Sequence, residues 1–170
     1  MTLQSHLTGG VLTISDKGSQ GIREDISGQE VRNLLESMSI RVDSYEIIPD
    51  DRNMIKEKLI DYADKKLLDI IVTTGGTGVS PRDVTPDTTL EVIDKLIPGM
   101  AEMMRREGMA KTPYAMISRA VVGIRKKSLI INLPGSPKGA REGLSVLLPA
   151  IKHTIEKIKG DESDCALPEQ

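Results

Sequence analysis

The chain has 170 residues, with 23 Lys and Arg against 25 Asp and Glu, a net charge of −2 and a pI near 5.8. That length predicts one domain with a substantial core. A near-neutral balance with three Tyr and no Phe or Trp leaves neither the basic footprint nor the stacking surfaces of a nucleic-acid binder. The single cysteine, Cys165, excludes an intramolecular disulfide framework and a cysteine zinc site. No apolar run is long enough to span a membrane and no secretory signal is visible, so the cytoplasm is the expected compartment.

Residues 1–8 read as a loose start, followed by a first strand over Val11–Ser15 and a polar turn, Ser15-Asp16-Lys17-Gly18. Ser27 opens a capping-box pattern with Glu30, ahead of a helix burying Val31, Leu34, Leu35 and Met38. Ile40–Ile48 is a second strand ending at Pro49-Asp50-Asp51, with Asp51 the better helix cap of the two acids. Ile55, Leu59, Tyr62 and Ala63 share one face of the next helix, and Leu67–Val72 is a continuous apolar strand. The order β-α-β-α-β implies parallel pairing.

Past residue 85 the pattern predicts a helix from Pro86, with Thr85 as its N-cap, to about Leu96, and then a break at Pro98-Gly99. A methionine-rich stretch (100, 103, 104, 109) reads as packing or subunit interface, and a short helical piece follows Pro113 up to Arg119. Val121–Ile124 and Leu129–Ile131, separated only by Arg125–Ser128, form a hairpin at one edge of the sheet. A Gly/Pro loop at 132–139 leads to a last helix from about Arg141 to Ile158, ended by Gly160. The expected architecture is a three-layer α/β/α sandwich around a mostly parallel sheet with an antiparallel edge hairpin. The domain spans 1–160, and the acidic tail 161–170 is expected to be disordered.

The chemistry concentrates in residues 73–89, Thr-Thr-Gly-Gly-Thr-Gly-Val-Ser-Pro-Arg-Asp-Val-Thr-Pro-Asp-Thr-Thr. A glycine-rich loop here joins the carboxyl end of a strand to a helix N-terminus, the place where open α/β sheets bind ligands. Gly75, Gly76 and Gly78 allow backbone N–H groups to approach an anion. Thr73, Thr74, Thr77 and Ser80 add hydroxyls, Arg82 a cation and Asp83 a carboxylate, which together suit a phosphorylated ligand with a metal ion. No Gly-Lys-Ser/Thr closes the loop, so it is not a P-loop, and Pro81 breaks the dinucleotide fingerprint. The plain alternative is a tight structural connection with Arg82 and Asp83 as a surface ion pair.

This run resembles the signature of the molybdopterin adenylyltransferases, the family that includes the G domain of gephyrin. ISDKGSQG with EDISG near the N-terminus, IPDD, SRA at 118–120 and NLPGSPKG at 132–139 agree with it in order, over about residues 8–155. The resemblance implies transfer of AMP from ATP to the phosphate of molybdopterin, in molybdenum cofactor biosynthesis. It implies Asp83 and Asp50 as the functional carboxylates, holding Mg²⁺. It places nucleotide and pterin pockets near Ser15, Asp16, Ser118 and the loop of Pro134, Gly135, Ser136 and Lys138, alongside Thr74, Gly75, Gly76, Thr77, Gly78 and Arg82. Arg82 and Lys138 are candidate charge clamps. The family is typically trimeric, sometimes a dimer of trimers, and works beside a molybdate-inserting protein. A non-catalytic pterin-binding protein of the same fold is the alternative, although the retained Arg82-Asp83 favours the enzyme.

Overall fold

The computed structural model describes residues 6–162. In chain order these form β1 (Thr8–Ile14), α1 (Asp16–Ser19), α2 (Ile26–Ser37), β2 (Arg41–Ile48), and α3 (Arg52–Ile60), which continues as a π-helical turn (Asp61–Lys65). Next come β3 (Ile70–Thr74), α4 (Thr85–Val92), β4 (Lys95–Leu96), α5 (Pro98–Met109) and a 3₁₀ turn (Pro113–Ile117). The chain closes with β5 (Val122–Arg125), β6 (Ser128–Leu133) and α6 (Pro137–Ile158). The sheet order is β2-β1-β3-β6-β5-β4. β2, β1, β3 and β6 run parallel, and β5 and β4 add antiparallel pairs at one edge. The expected three-layer sandwich and edge hairpin are therefore present.

Successive residues on the central strands are buried on opposite faces, as a parallel sheet with helices on both sides requires. Val11, Ile70, Val72 and Ile131 pack with Val31 and Leu35 of α2 and with Leu144 and Ile151 of α6. Leu12, Ile71 and Ile130 pack with Ile55 and Leu59 of α3 and with Tyr62. Each such Leu or Ile, taken fully out of water, contributes about 1.5–3 kcal/mol before the cost of ordering the chain. Met100 and Met104 of α5 join the first core, so those two methionines pack within the chain, while Met103 and Met109 remain exposed.

Several boundaries differ from the sequence reading, each for a local reason. β1 starts at Thr8, ahead of the predicted Val11, and takes in Gly9 and Gly10. A Cβ on Gly10 would sit 2.7 Å from the Tyr62 ring and 2.8 Å from Leu68, so the glycine makes room for the largest fully buried side chain. β3 starts at Ile70, because Leu67 is exposed and has φ +54°. The cap of α2 is Asp25, whose carboxylate accepts from Gly28 N, so Ser27 lies inside the helix rather than opening a capping box. Asp51 caps α3 through Met54 N, as expected.

Thr85 is the first residue of α4, not its cap, and its hydroxyl turns back to Gly75 O. α4 stops at Val92 because Ile93 turns extended and Asp94 N donates to Ile124 O, drawing Lys95 and Leu96 into the sheet edge. α6 begins at Pro137, capped by Ser136, and not at Arg141. Most of the tail expected to be disordered, 163–170, and Cys165 with it, lies outside the described residues. No helix among the described residues is long and apolar enough to cross a membrane.

Candidate active site

β1 has β2 on one side and β3 on the other, so the chain reverses direction across the sheet at this pair. The crevice beyond the carboxyl ends of such strands is where open α/β sheets place ligands. The ends of β1, β2, β3 and β6 here surround a hollow of about 600 Å³. Ser15, Asp50, Thr74, Gly75, Gly76, Asp83, Gly135 and Ser136 all line it. Thus eight residues singled out from four separated sequence segments meet at one place.

The two loops that form its floor are joined by one backbone and one side-chain hydrogen bond. Gly75 N donates to Leu133 O at 3.0 Å, and Thr74 Oγ1 donates to Pro134 O at 2.7 Å. A Cβ on Gly135 would lie 3.3 Å from Gly75 Cα. Gly75 has φ +107°, and a side chain there would run into Ile14 O. Gly76 has φ +66°, and a Cβ there would stand 2.5 Å from Thr85 Oγ1 and 3.0 Å from Asp50 Oδ1. Both are conformations that L-residues rarely adopt.

Beneath the loop a buried polar network fixes its height. Asn132 Nδ2 donates to Thr73 Oγ1 and Thr89 Oγ1, both at 3.0 Å, and its Oδ1 accepts from Val121 N at 3.2 Å. Thr89 donates to Thr85 O at 2.8 Å, and Thr85 donates to Gly75 O at 3.0 Å. Leaving one of these groups unpaired would cost about 1–3 kcal/mol. The hydroxyls of Thr73 and Thr74, read from sequence as ligand groups, therefore serve the scaffold.

Three carboxylates gather on the rim. Asp16 N donates to Asp50 Oδ2 at 3.1 Å and Asp50 N to Asp16 Oδ1 at 3.0 Å, a reciprocal lock between the ends of β1 and β2. Arg82 forks onto Asp16, with Nη2 2.8 Å from both oxygens and Nε 3.1 Å from Oδ2. It therefore does not pair with Asp83. The Arg82 hydrogen bond holds the Asp16 carboxyl below its usual range. Burial pushes Asp50 upward, and the charges of Asp16 and Asp83 add to that push against the Asp16 N–H and Arg82.

Asp83 Oδ2 accepts from Ser80 N at 2.9 Å, and Asp83 N donates to Ser80 O at 2.9 Å. Asp50 Oδ1 and Asp83 Oδ1 accept no hydrogen bond from the described residues. No group of three or more His, Cys, Asp or Glu that could hold a metal exists among the described residues. Two carboxylates with free oxygens still match magnesium, which keeps waters and completes its shell with substrate phosphates rather than with a protein cage.

Thr77, Gly78, Ser118, Pro134 and Ser136 line a second, more apolar hollow of about 280 Å³ against α5 and Tyr114. It shares Ser136 with the first. Lys138 lines neither; it sits in a third hollow of mixed charge with Glu30, Glu107, Lys111, Arg141 and Glu142. His6 and His153 are exposed, as expected of solvated residues. Asp25 escaped the sequence reading. It is buried, lines the first hollow, and accepts from Thr13 Oγ1 at 2.6 Å and from Tyr45 Oη as well as capping α2. The signal was there in Asp25 with Gly28 three residues on, but Ser27–Glu30 competed with it.

A family model described as a "probable molybdopterin binding domain" matches residues 10–153. A molybdopterin adenylyltransferase of Helicobacter pylori is 44% identical over 154 residues, covering 89% of this chain and 88% of the relative. The chain belongs to the molybdopterin adenylyltransferase family. Gephyrin of Dictyostelium discoideum is 42% identical over 170 residues, spanning 94% of this chain but 23% of that longer protein. Among solved structures, the molybdopterin biosynthesis enzyme MoaB of Thermus thermophilus superposes with a TM-score of 0.86 at 47% identity, covering 91% of this chain and 98% of that one. The stretch matched to the family model takes in every strand-end loop of both hollows.

Proposed function

We propose that this protein transfers AMP from ATP to the terminal phosphate of molybdopterin and releases pyrophosphate. The observation that carries this reading is the pairing of free donors with free acceptors around one loop. The N–H groups of Gly76, Thr77 and Gly78 donate no hydrogen bond within the described residues, and Gly76 lines the same hollow as Asp50 and Asp83. Consecutive free amides form an anion nest. Membership of the adenylyltransferase family supplies the substrates.

The nucleophile is a phosphate oxygen, already anionic at neutral pH, so no general base is required. Its bond to the α-phosphorus forms as the bond from that phosphorus to the β-phosphate oxygen breaks, and the electron pair leaves with pyrophosphate. The obstacle is repulsion between two polyanions and charge growth at the α-phosphate. The loop amides neutralise phosphate oxygens. Arg82, at the rim, offers a guanidinium that can pass from Asp16 to a phosphate. Asp50 and Asp83 hold Mg²⁺, which when bound supplies charge neutralisation at the phosphates. In the same reading the protein is a cytoplasmic homotrimer whose adenylylated product goes to a molybdate-inserting protein. Assembly is supported by the exposed Tyr114 (78%), Met116 (65%) and Ile117 (52%) in one short segment.

The deciding experiment incubates purified protein with molybdopterin and MgATP and seeks adenylylated pterin and pyrophosphate by chromatography. Asp83→Asn, a near-isostere that is a poorer magnesium ligand, should fold, bind pterin and lose at least about a hundredfold in turnover. Near wild-type turnover in Asp83→Asn would sink the assignment. Pterin binding without product in the wild type would make the protein a binder.

A further inference from the structure

The loop from Thr77 to Asp83 brings Asp83 to the wall of the first hollow and Thr77 and Gly78 to that of the second. Its tip is exposed at Val79, and inside the loop the ties are Ser80 N to Asp83 Oδ2, Asp83 N to Ser80 O and Arg82 N to Ser80 Oγ. Arg82 ties the loop to Asp16 at the rim, and a second residue holds it from behind. Arg119, between the 3₁₀ turn and β5, donates its backbone N–H to Thr77 O at 2.8 Å. Its Nε donates to Gly78 O at 2.7 Å and its Nη2 to Asp83 O at 2.6 Å. Its Nη1 lies 3.0 Å from both oxygens of Asp87, in the first turn of α4.

We infer that Arg119 is the positioning residue for Asp83: its guanidinium gathers the two ends of the loop and sets the carboxylate against the hollow. This rests on the reading above that Asp83 works at the phosphates. The geometry demands an arginine. Acceptors at both ends of the loop and on α4 are met by three different nitrogens of one rigid plane, which an ammonium on a flexible stem cannot reproduce. Asp87 completes the device by fixing the plane from the side of α4, where an acid also suits the helix N-terminus. Arg119 touches no substrate in this scheme. Its effect passes through backbone carbonyls, and the amides of Thr77 and Gly78 stay free for an anion.

Arg125 provides a matched comparison. It makes the same kind of fork, Nε and Nη2 to Asp64 at 2.9 and 2.7 Å and Nη1 to Val92 O at 2.8 Å, and it lines neither hollow at the strand ends. Arg119→Gln, Arg119→Lys, Arg125→Gln and Asp83→Asn are to be compared in the full chain by thermal melting, amide hydrogen exchange and adenylyl-transfer kinetics. Both Arg119 variants should lower kcat by at least about tenfold with KM for the pterin little changed, as a displaced catalytic group does. The amides of Ser80 and Asp83 should exchange at least about tenfold faster, since local opening no longer breaks the fork.

Arg125→Gln should lower the melting temperature while leaving kcat and the loop amides as in the wild type. The inference is overturned if Arg119→Gln keeps its kcat and loop protection, if Arg119→Lys restores both, or if Arg125→Gln loses as much activity. Should Asp83→Asn keep full turnover, the reading of Asp83 fails and this inference with it. Should Asp83→Asn lose turnover while the Arg119 variants do not, the inference alone falls.

Discussion

Gly76→Ala tests the loop with magnitudes that can be worked out beforehand. At φ +66° an alanine carries about 1–2 kcal/mol of left-handed strain. Its Cβ would also stand 2.5 Å from Thr85 Oγ1, a fully buried hydroxyl that donates to Gly75 O. Moving that hydroxyl aside leaves a buried carbonyl short of its partner, worth a further ~1–3 kcal/mol. The sum is about 2–5 kcal/mol, which for a chain of this size lowers the melting temperature by roughly 5–20 °C. Gly21→Ala is the control: its φ is +71°, and a Cβ there meets nothing within 4 Å, so only the strain remains. Differential scanning calorimetry of both variants beside the wild type separates strain from collision. Isothermal titration with ATP and with molybdopterin then shows whether the loop binds either ligand, because the added methyl also stands 3.0 Å from Asp50 Oδ1. If Gly76→Ala melts no lower than Gly21→Ala, the network under the loop yields freely and the reasoning fails. If it melts lower but binds both ligands unchanged, the loop is scaffold and not site.

Two further outcomes are expected. The Asp64 carboxyl is held at about 2, against an ordinary 3.8, by the Arg125 hydrogen bond first and Lys126 next. A lowered folded pKa contributes stability that is present above 3.8 and lost as pH falls through about 2. Asp64→Asn should therefore melt lower than the wild type at pH 7, with the gap closing between roughly pH 4 and pH 2 in a series of thermal melts; a gap constant with pH would refute it. Light scattering at micromolar concentration should give a mass near three times the 18.6 kDa chain, with Tyr114→Glu reducing it; a wild-type monomer contradicts the trimer.

The layered architecture was legible because buried parallel strands are written as unbroken apolar runs, and Ile70–Val72 or Leu129–Ile131 can be little else. The glycine loop was legible because glycine clusters between a strand and a proline-marked helix start have few other uses. Apart from the local caps Asp25 and Ser136, what escaped depends on a partner far along the chain. Gly9 and Gly10 read as loop until Ile40 is seen to crowd the first and Tyr62 to need the space of the second. Arg82 beside Asp83 suggests an ion pair, yet its partner is Asp16, 66 positions away. α4 was drawn too long because the bonds that draw the chain after it into the sheet edge, Asp94 N to Ile124 O and Ile97 N to Val122 O, reach far along the chain. The threonine hydroxyls looked available for a ligand because nothing local shows that Asn132 and Pro134 claim them. Lys138 was assigned to the same site by its loop, but it lines a neighbouring hollow that shares Pro137 with the first.

The pairing of β3 with β6 also sets an order of events during synthesis. Ile70 meets Leu129 and Thr74 meets Leu133, so a strand finished early waits for one made about sixty residues later. Until β6 emerges, β3 is an open edge of five buried-type residues, an inviting template for a neighbouring nascent chain. The hollow, lined from Thr13 through Pro137, does not exist before that closure. Ligand binding thus reports a completed chain, and fragments ending before β6 would be expected to aggregate rather than to compete with finished copies for the ligand.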